Sequence, residues 1–108
     1  DNLGYTPEGS YVDIEEETAL PTEIRLSQNY PNPFNPTTQI AFTLPAAQRV
    51  TLQVFDMSGR LVATLVDGMQ PMGVNEVTFD ASSLASGVYM YRLTGDGVSL
   101  LNKMTLLK

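Results

Sequence analysis

The fold class that the sequence predicts is all-β: a small antiparallel sandwich of about seven strands. Short runs with apolar residues at every second position recur through residues 24–108, and such alternation is typical of half-buried strands. Glycine-containing turns separate these runs. About one strand for every 12 residues is the spacing typical of antiparallel sandwiches. The length of 108 residues suits one domain.

The first candidate strand, residues 24–28, leads into a segment that cannot be a central strand or a helix. Three prolines within six residues remove backbone donors and fix φ angles. We expect an ordered crossover, anchored by the two aromatic rings if they are buried. It is mainly structural, with a glycan or peptide contact as the alternative. Its residues are Asn29, Tyr30, Pro31, Asn32, Pro33, Phe34, Asn35 and Pro36.

Two cleanly alternating strands come next, at residues 39–44 and 50–54. Their inward residues are predicted to be Ile40, Phe42, Leu44, Val50, Leu52 and Val54. Pro45 ends the first of them. Asp56 and Gly59 then mark a hairpin turn, in which the glycine is free to adopt positive φ.

Residues 61–66 are ambiguous, because their apolar positions also fit one face of a helix. The shortness of the run and its two valines favour a strand. Gly68 and Gly73 are expected to bracket a loop. Residues 76–80 then form a strand with Val77 and Phe79 inside.

The last two strands, residues 88–94 and 98–107, are joined by a tight turn at residues 95–97. Tyr89, Tyr91 and Leu93 are expected on one buried face. In Greek-key sandwiches a tyrosine near the start of the sixth strand bonds back to the backbone just upstream. Gly87 and Tyr89 fit that corner, with Leu84 plugging the core, so the sandwich is predicted to be immunoglobulin-like.

The residue types present argue against an enzyme. The chain has no cysteine and no histidine, which excludes disulfides, thiolate zinc sites and Ser-His-Asp or Cys-His catalysis. The acids of residues 24–108 fall mostly in turns or at strand ends, and so small a domain leaves little room for a substrate cleft. We expect no catalytic site, no metal and no cofactor.

The net charge of −6 is concentrated in the first 23 residues. That segment has no base, and its seven acids are Asp1, Glu8, Asp13, Glu15, Glu16, Glu17 and Glu23. We interpret residues 1–23 as an extended acidic linker, with a strand of a preceding domain over residues 10–14 as the alternative. Acidity argues against a nucleic-acid partner, and no apolar run is long enough for a membrane span. The start at Asp1, without a basic and apolar leader, suggests a piece of a longer protein or a mature product.

Four stretches together carry a family resemblance. They are residues 26–38, which contain the Asn-Pro repeats, residues 54–60, residues 86–89 and the final stretch that holds Lys103, Met104, Leu106 and Lys108. In these stretches residues 26–108 resemble the type A C-terminal sorting domain of type IX secretion substrates of Bacteroidota-like bacteria. Related sandwiches occur in flagellar hook-capping proteins.

The resemblance implies a function and a set of partners. Such domains follow a larger cargo protein and act as an address that an outer-membrane translocon reads. A sortase-like protease usually removes them by cutting in the linker, here within or near residues 1–25. The cargo is then secreted or held at the cell surface. We expect a monomer.

Two parts of the chain are candidates for the signal itself. The terminal strand is apolar on both faces, and at a sheet edge its backbone groups would invite strand addition. We therefore hypothesise that the translocon reads it through Lys103, Met104, Leu106 and Lys108. Gly87 and Tyr89 are either a corner of the fold or a direct receptor contact.

Two other functions remain open from the sequence. The first is an accessory module of a secreted hydrolase, for example a carbohydrate-binding one, which a flat row of exposed aromatics would favour. The second is a structural spacer, which would tolerate changes in the last strand's sequence as long as the fold survives.

Overall fold

The computed structural model describes residues 23–108 as two antiparallel sheets packed face to face. The linker predicted over residues 1–23 and the alternative strand at residues 10–14 lie, apart from Glu23, outside the described residues. The strands are β1 (Arg25–Leu26), β2 (Thr37–Leu44), β3 (Gln48–Phe55), β4 (Leu61–Gln70), β5 (Gly73–Asp80), β6 (Gly87–Gly95) and β7 (Val98–Leu106).

The sheets contain three and four strands, in the orders β1-β2-β5 and β4-β3-β6-β7. Every strand pair is antiparallel. This arrangement confirms the predicted all-β sandwich of seven strands. The terminal strand β7 pairs only with β6, so it lies at the edge of the four-stranded sheet.

The core lies between the sheets and comes from the alternating positions that the sequence predicted. The inward side chains of β2, β3 and β6 are buried, as are those of the second half of β7. The largest of them are Ile40, Phe42, Leu44, Val50, Leu52, Val54, Tyr91, Leu93, Met104 and Leu106. Burial of this apolar surface is the main force that holds the two sheets together.

The first predicted strand, residues 24–28, is wrong in length. Only Arg25 and Leu26 pair with β2. After a backbone bond from Ser27 N–H to Ala41 O, at 2.9 Å, the chain rejoins β2 only at Tyr30, which bridges Gln39, and between these residues it turns toward the other sheet. There the N–H of Asn29 donates to the hydroxyl of Tyr91 at 2.8 Å. The chain leaves the ladder because its next donor is bonded to a side chain of the facing sheet.

The loop expected between Gly68 and Gly73 is also wrong, because the strands continue through most of it. Gly68 and Met69 pair with Val50 and Arg49, so β4 runs to Gln70 and leaves only residues 71–72 as the connection. The β3–β4 ladder contains two register shifts, at residues 52/53 and 54/55. Such bulges break the period-2 alternation, which explains why residues 61–66 also fitted a helical pattern.

Candidate functional site

The terminal strand places its residues on two opposite faces. Met104 and Leu106 point inward and are fully buried. Lys103, Leu101 and Leu107 point outward and are exposed. The two predicted signal residues Met104 and Leu106 are therefore core residues, and a partner can contact only the outward set without unfolding the strand.

The proline loop, residues 29–36, covers the second half of this strand's edge. The Phe34 N–H donates to Thr105 O at 2.9 Å, and the Leu107 N–H donates to Phe34 O at 3.0 Å. Asn32 Oδ1 accepts the Thr105 N–H at 3.0 Å. The loop thus satisfies outward backbone groups of β7 that would otherwise face water.

Phe34 anchors the loop, whereas Tyr30 does not. The Phe34 ring is 2 % exposed and lies 6.2 Å from the ring of Phe79, centroid to centroid. Tyr30 is 80 % exposed. Tyr30 forms a backbone bridge with Gln39, and because its neighbour Asn29 is buried, alternation directs the Tyr30 ring to solvent.

A polar network between the sheets holds the start of the loop, and it was not among the predictions from the sequence. The Tyr91 hydroxyl donates to Ser27 O at 2.7 Å and accepts from the Asn29 N–H and from Asn102 Nδ2. The buried amide of Asn29 donates to Thr38 Oγ1 and Pro31 O. Burial raises the pKa of the Tyr91 hydroxyl. A tyrosine at an inward position needs a partner for its hydroxyl, and that requirement was the available signal.

The corner at residues 84–89 has the predicted geometry. The Tyr89 hydroxyl donates to Ala85 O at 2.7 Å, four residues upstream. Gly87 has φ of 155°, in a region that side chains disfavour, and Leu84 packs against the core. The hydrogen bond fastens the connection from β5 to the start of β6.

The last residue is fastened to the same corner. The Lys108 N–H donates to Ser86 Oγ at 2.9 Å, and its Nζ donates to Ser82 O at 2.6 Å. Asp80 accepts from the Ser82 N–H at 2.9 Å. The hydrogen bond from Ser82 and, to a smaller degree, the charge of Lys108 lower the pKa of Asp80.

The turn after β3 contains Asp56 and Gly59, which the sequence predicted to form a hairpin turn. Asp56 Oδ1 accepts from Ser58 Oγ, from the Ser58 N–H and from the Arg60 N–H at 2.6–3.0 Å. Hydrogen bonds from Ser58 and Arg60 lower the pKa of Asp56 from 3.8 to about 2. Gly59 takes φ of 89°, as the turn requires. Asp56 is thus a turn former.

Parts of all four motif stretches lie at one end of the sandwich, which we call the distal end. Phe34 bridges Leu106, Pro36 O accepts from the Ala81 N–H, and Phe55, just before the Asp56 turn, pairs with Met90. The chain enters at the opposite, proximal end. There Ile24 lies against Gly95, where an added Cβ would stand 2.7 Å from its Cδ1. The arrangement presents a surface for contact and leaves the entering segment away from it.

Neither a metal site nor a membrane-spanning helix is found within the described residues. Residues 23–108 contain no group of three or more acidic, cysteine or histidine side chains that could hold a metal ion. No helix within this range is long and apolar enough to cross a membrane.

Comparison with known protein families identifies the family of this chain. The family model described as the secretion system C-terminal sorting domain matches residues 28–106, which include all the strands from β2 to β7. The chain belongs to this family. A C-terminal sorting domain of the type IX system marks proteins that are secreted or attached at the cell surface by way of the outer membrane. Members of the family are non-catalytic in general. No curated protein matches the chain.

A solved structure shares the fold of this sorting domain. It is PorZ, described as an essential bacterial surface component of the type-IX secretion system of Porphyromonas gingivalis. The match has a TM-score of 0.52 and 22 % identity over 75 % of this chain. It covers only 11 % of the PorZ chain. At this identity the likeness shows the sandwich fold alone.

Proposed function

We propose that this sorting domain is a folded, non-catalytic address for a larger protein attached ahead of it. The outer-membrane translocon of the type IX system reads the address, and a sortase-like protease then removes it by cutting within or near residues 1–25. The observation that carries the proposal is that parts of all four family stretches lie together at the distal end. The chain enters at the proximal end, so an attached cargo leaves the distal surface accessible.

The direct test is a fusion of residues 1–108 behind a signal peptide and a fluorescent cargo, in a host with a type IX system. We expect cargo outside the cell, with a new C-terminus that mass spectrometry places within or near residues 1–25. Folded cargo that stays in the periplasm with the domain still attached contradicts the proposal.

Deleting the last strand is a poor test of recognition, because it also removes the buried Met104 and Leu106. Surface substitutions separate recognition from folding. Leu107→Ser with Lys108→Ala changes the distal end, where Leu107 is 55 % exposed. The matched control is Met72→Ser with Arg49→Ala, near the proximal end, where Met72 is 49 % exposed.

The two double variants should differ in export and agree in thermal stability. We expect the distal variant to lose export and the proximal one to retain it, because the distal surface is read and the surface around Met72 and Arg49 is not. Equal export of both variants would favour the structural spacer, for which the sequence of the last strand is unimportant.

The carbohydrate-binding alternative lacks its platform in the described part of the chain. Of the aromatic residues from 23 to 108, only Tyr30 is largely exposed. A sugar platform needs a flat group of exposed rings, and one tyrosine beside a proline does not provide it. We therefore favour the sorting role.

A further inference from the structure

The edge of β7 is only half covered. Thr105 and Leu107 direct their backbone groups away from β6 and bond to the proline loop. Backbone direction alternates along a strand in an antiparallel pair, so Leu101 and Lys103 direct theirs to the same side. Gln28 Nε2 donates to Lys103 O at 2.7 Å. Within residues 23–108 no second strand pairs with β7 before that point.

The uncovered half of the edge borders a groove between the two sheets. Its apolar lining comes from Ile24, Leu26 and Leu100, and the polar residues Glu23, Arg25 and Asn102 also line it. Ile24 and Leu26 pack against the core. Asn102 Nδ2 donates to Leu26 O at 3.3 Å, and this bond closes the back of the groove. An apolar side chain on the inner side of an added strand can therefore contact Ile24, Leu26 or Leu100.

The outer side of the same edge is both apolar and cationic. Leu101 is 57 % exposed, and Lys103 is exposed next to it on the same face. No carboxylate of residues 23–108 forms an ion pair with Lys103. Natural edge strands usually carry charge that blocks pairing. Here the single lysine favours an acidic residue on an incoming strand rather than excluding every strand.

We infer that residues 99–103 bind an extended segment of a secretion-machinery protein as an added strand. The added strand is short, because the proline loop stops it at Thr105. Its inner residues are apolar and face the groove, and its outer residues include an acid opposite Lys103. Main-chain hydrogen bonds supply affinity, and the alternate side chains supply specificity. The inference rests on the proposed function for the identity of the partner, but not for the docking geometry.

A peptide titration of residues 1–108 tests the geometry without the secretion system. The probe is a seven-residue peptide with valine at every second position and threonine and glutamate between. Amide exchange followed by NMR should show the Leu101 and Lys103 amides fast in the free chain and slowed in the complex. Methylating the peptide's backbone nitrogens should abolish binding. Replacing glutamate by lysine should weaken it roughly fivefold, as expected when an exposed ion pair becomes a repulsion.

Three results of this titration would overturn the inference. One is binding that leaves the Leu101 and Lys103 amides unaffected, or no binding. Another is slow exchange of both amides in the free chain at every concentration. That result would mean that residues 1–22 already cover this edge. The last is slow exchange that depends on protein concentration, which would mean that a second copy of the chain covers the edge.

Export of the fluorescent fusion tests the same edge in the cell. Leu101→Pro removes the outward N–H, whereas Leu101→Thr keeps it, so export should fall roughly tenfold for the first variant only. Lys103→Glu keeps the backbone and should reduce export roughly fivefold without changing the melting temperature. Normal export of folded Leu101→Pro and Lys103→Glu rejects the added strand. Deletion of residues 24–108 is the separate control, because export that survives it rejects the sorting role itself.

Discussion

Phe34 and Leu106 form a single parallel β-bridge between the proline loop and the last strand. Both side chains are buried in the same core. The contact therefore has two components, a backbone component that covers the strand edge and an apolar component that fixes the loop. The terminal strand and the proline loop act as one structural unit, and changes in either should affect both.

Truncation of the loop's anchor should destabilise the domain far more than truncation of its exposed tyrosine. Phe34→Ala removes a buried ring and should cost about 3–5 kcal/mol in the free energy of unfolding. Tyr30→Ala, at an exposed position of the same loop, should change it by less than about 0.5 kcal/mol. Urea denaturation measures both values. Similar costs for the two variants would mean that the loop does not depend on Phe34.

The two tyrosine hydroxyls of β6 should contribute unequally. Tyr91→Phe leaves the buried Asn29 N–H without its acceptor, which should cost about 1–3 kcal/mol. Tyr89→Phe removes one bond to Ala85 O near the surface and should cost about 0.5–1.5 kcal/mol. Chemical denaturation of both variants gives the ranking. A larger cost for Tyr89→Phe would contradict the role assigned to the network between the sheets.

Asp56 should stabilise the domain at neutral pH, and this contribution should be lost in acid. Its pKa falls from 3.8 in the unfolded chain to about 2 in the fold. A lowered folded pKa stabilises above the unfolded value, and the contribution disappears as the pH falls from about 4 to 2. In Asp56→Asn the slope of stability against pH should be smaller in this window.

Ser58→Ala is the matched variant for this pH effect. Ser58 supplies the largest of the hydrogen-bond contributions that lower the pKa of Asp56. Its removal should raise that pKa and narrow the pH window, which NMR titration of the Asp56 carboxyl measures directly. An unchanged Asp56 pKa in Ser58→Ala would show that the backbone bonds of the turn are sufficient.

Gly87→Ala should separate the two interpretations of the corner. No heavy atom lies within 4 Å of an added Cβ, so the cost comes from the backbone at φ of 155°. Strained backbone of this kind costs about 1–3 kcal/mol. If the corner is purely structural, export of Gly87→Ala recovers at lower temperature as the folded fraction recovers. Lost export of a fully folded variant would instead indicate a direct receptor contact at Gly87 or Tyr89.

Period-2 alternation predicted most of the fold correctly. It identified the inward faces of β2, β3 and β6, because both sheets bury one face against the other. It failed where pairing depends on distant residues. The early end of β1 follows from the Tyr91 hydroxyl, more than 60 positions along the chain, and no local pattern contains that information.

The distal end was predictable only in part. The bond of Tyr89 to the upstream backbone followed from a known corner geometry. The bonds from Lys108 to Ser82 and Ser86 did not, because they join a terminus to a connection between sheets. The sequence likewise left open whether β7 lies at an edge, since strand order depends on pairing rather than on composition.

The bridge between Phe34 and Leu106 also has a consequence for timing. Its two halves lie more than 70 positions apart, and the ribosome makes Leu106 long after Phe34. The sandwich cannot close until that late strand has emerged. By then, every residue ahead of the domain has been translated. Under the proposed function, a surface that forms only after closure can be read only once a cargo ahead of it has been completely translated.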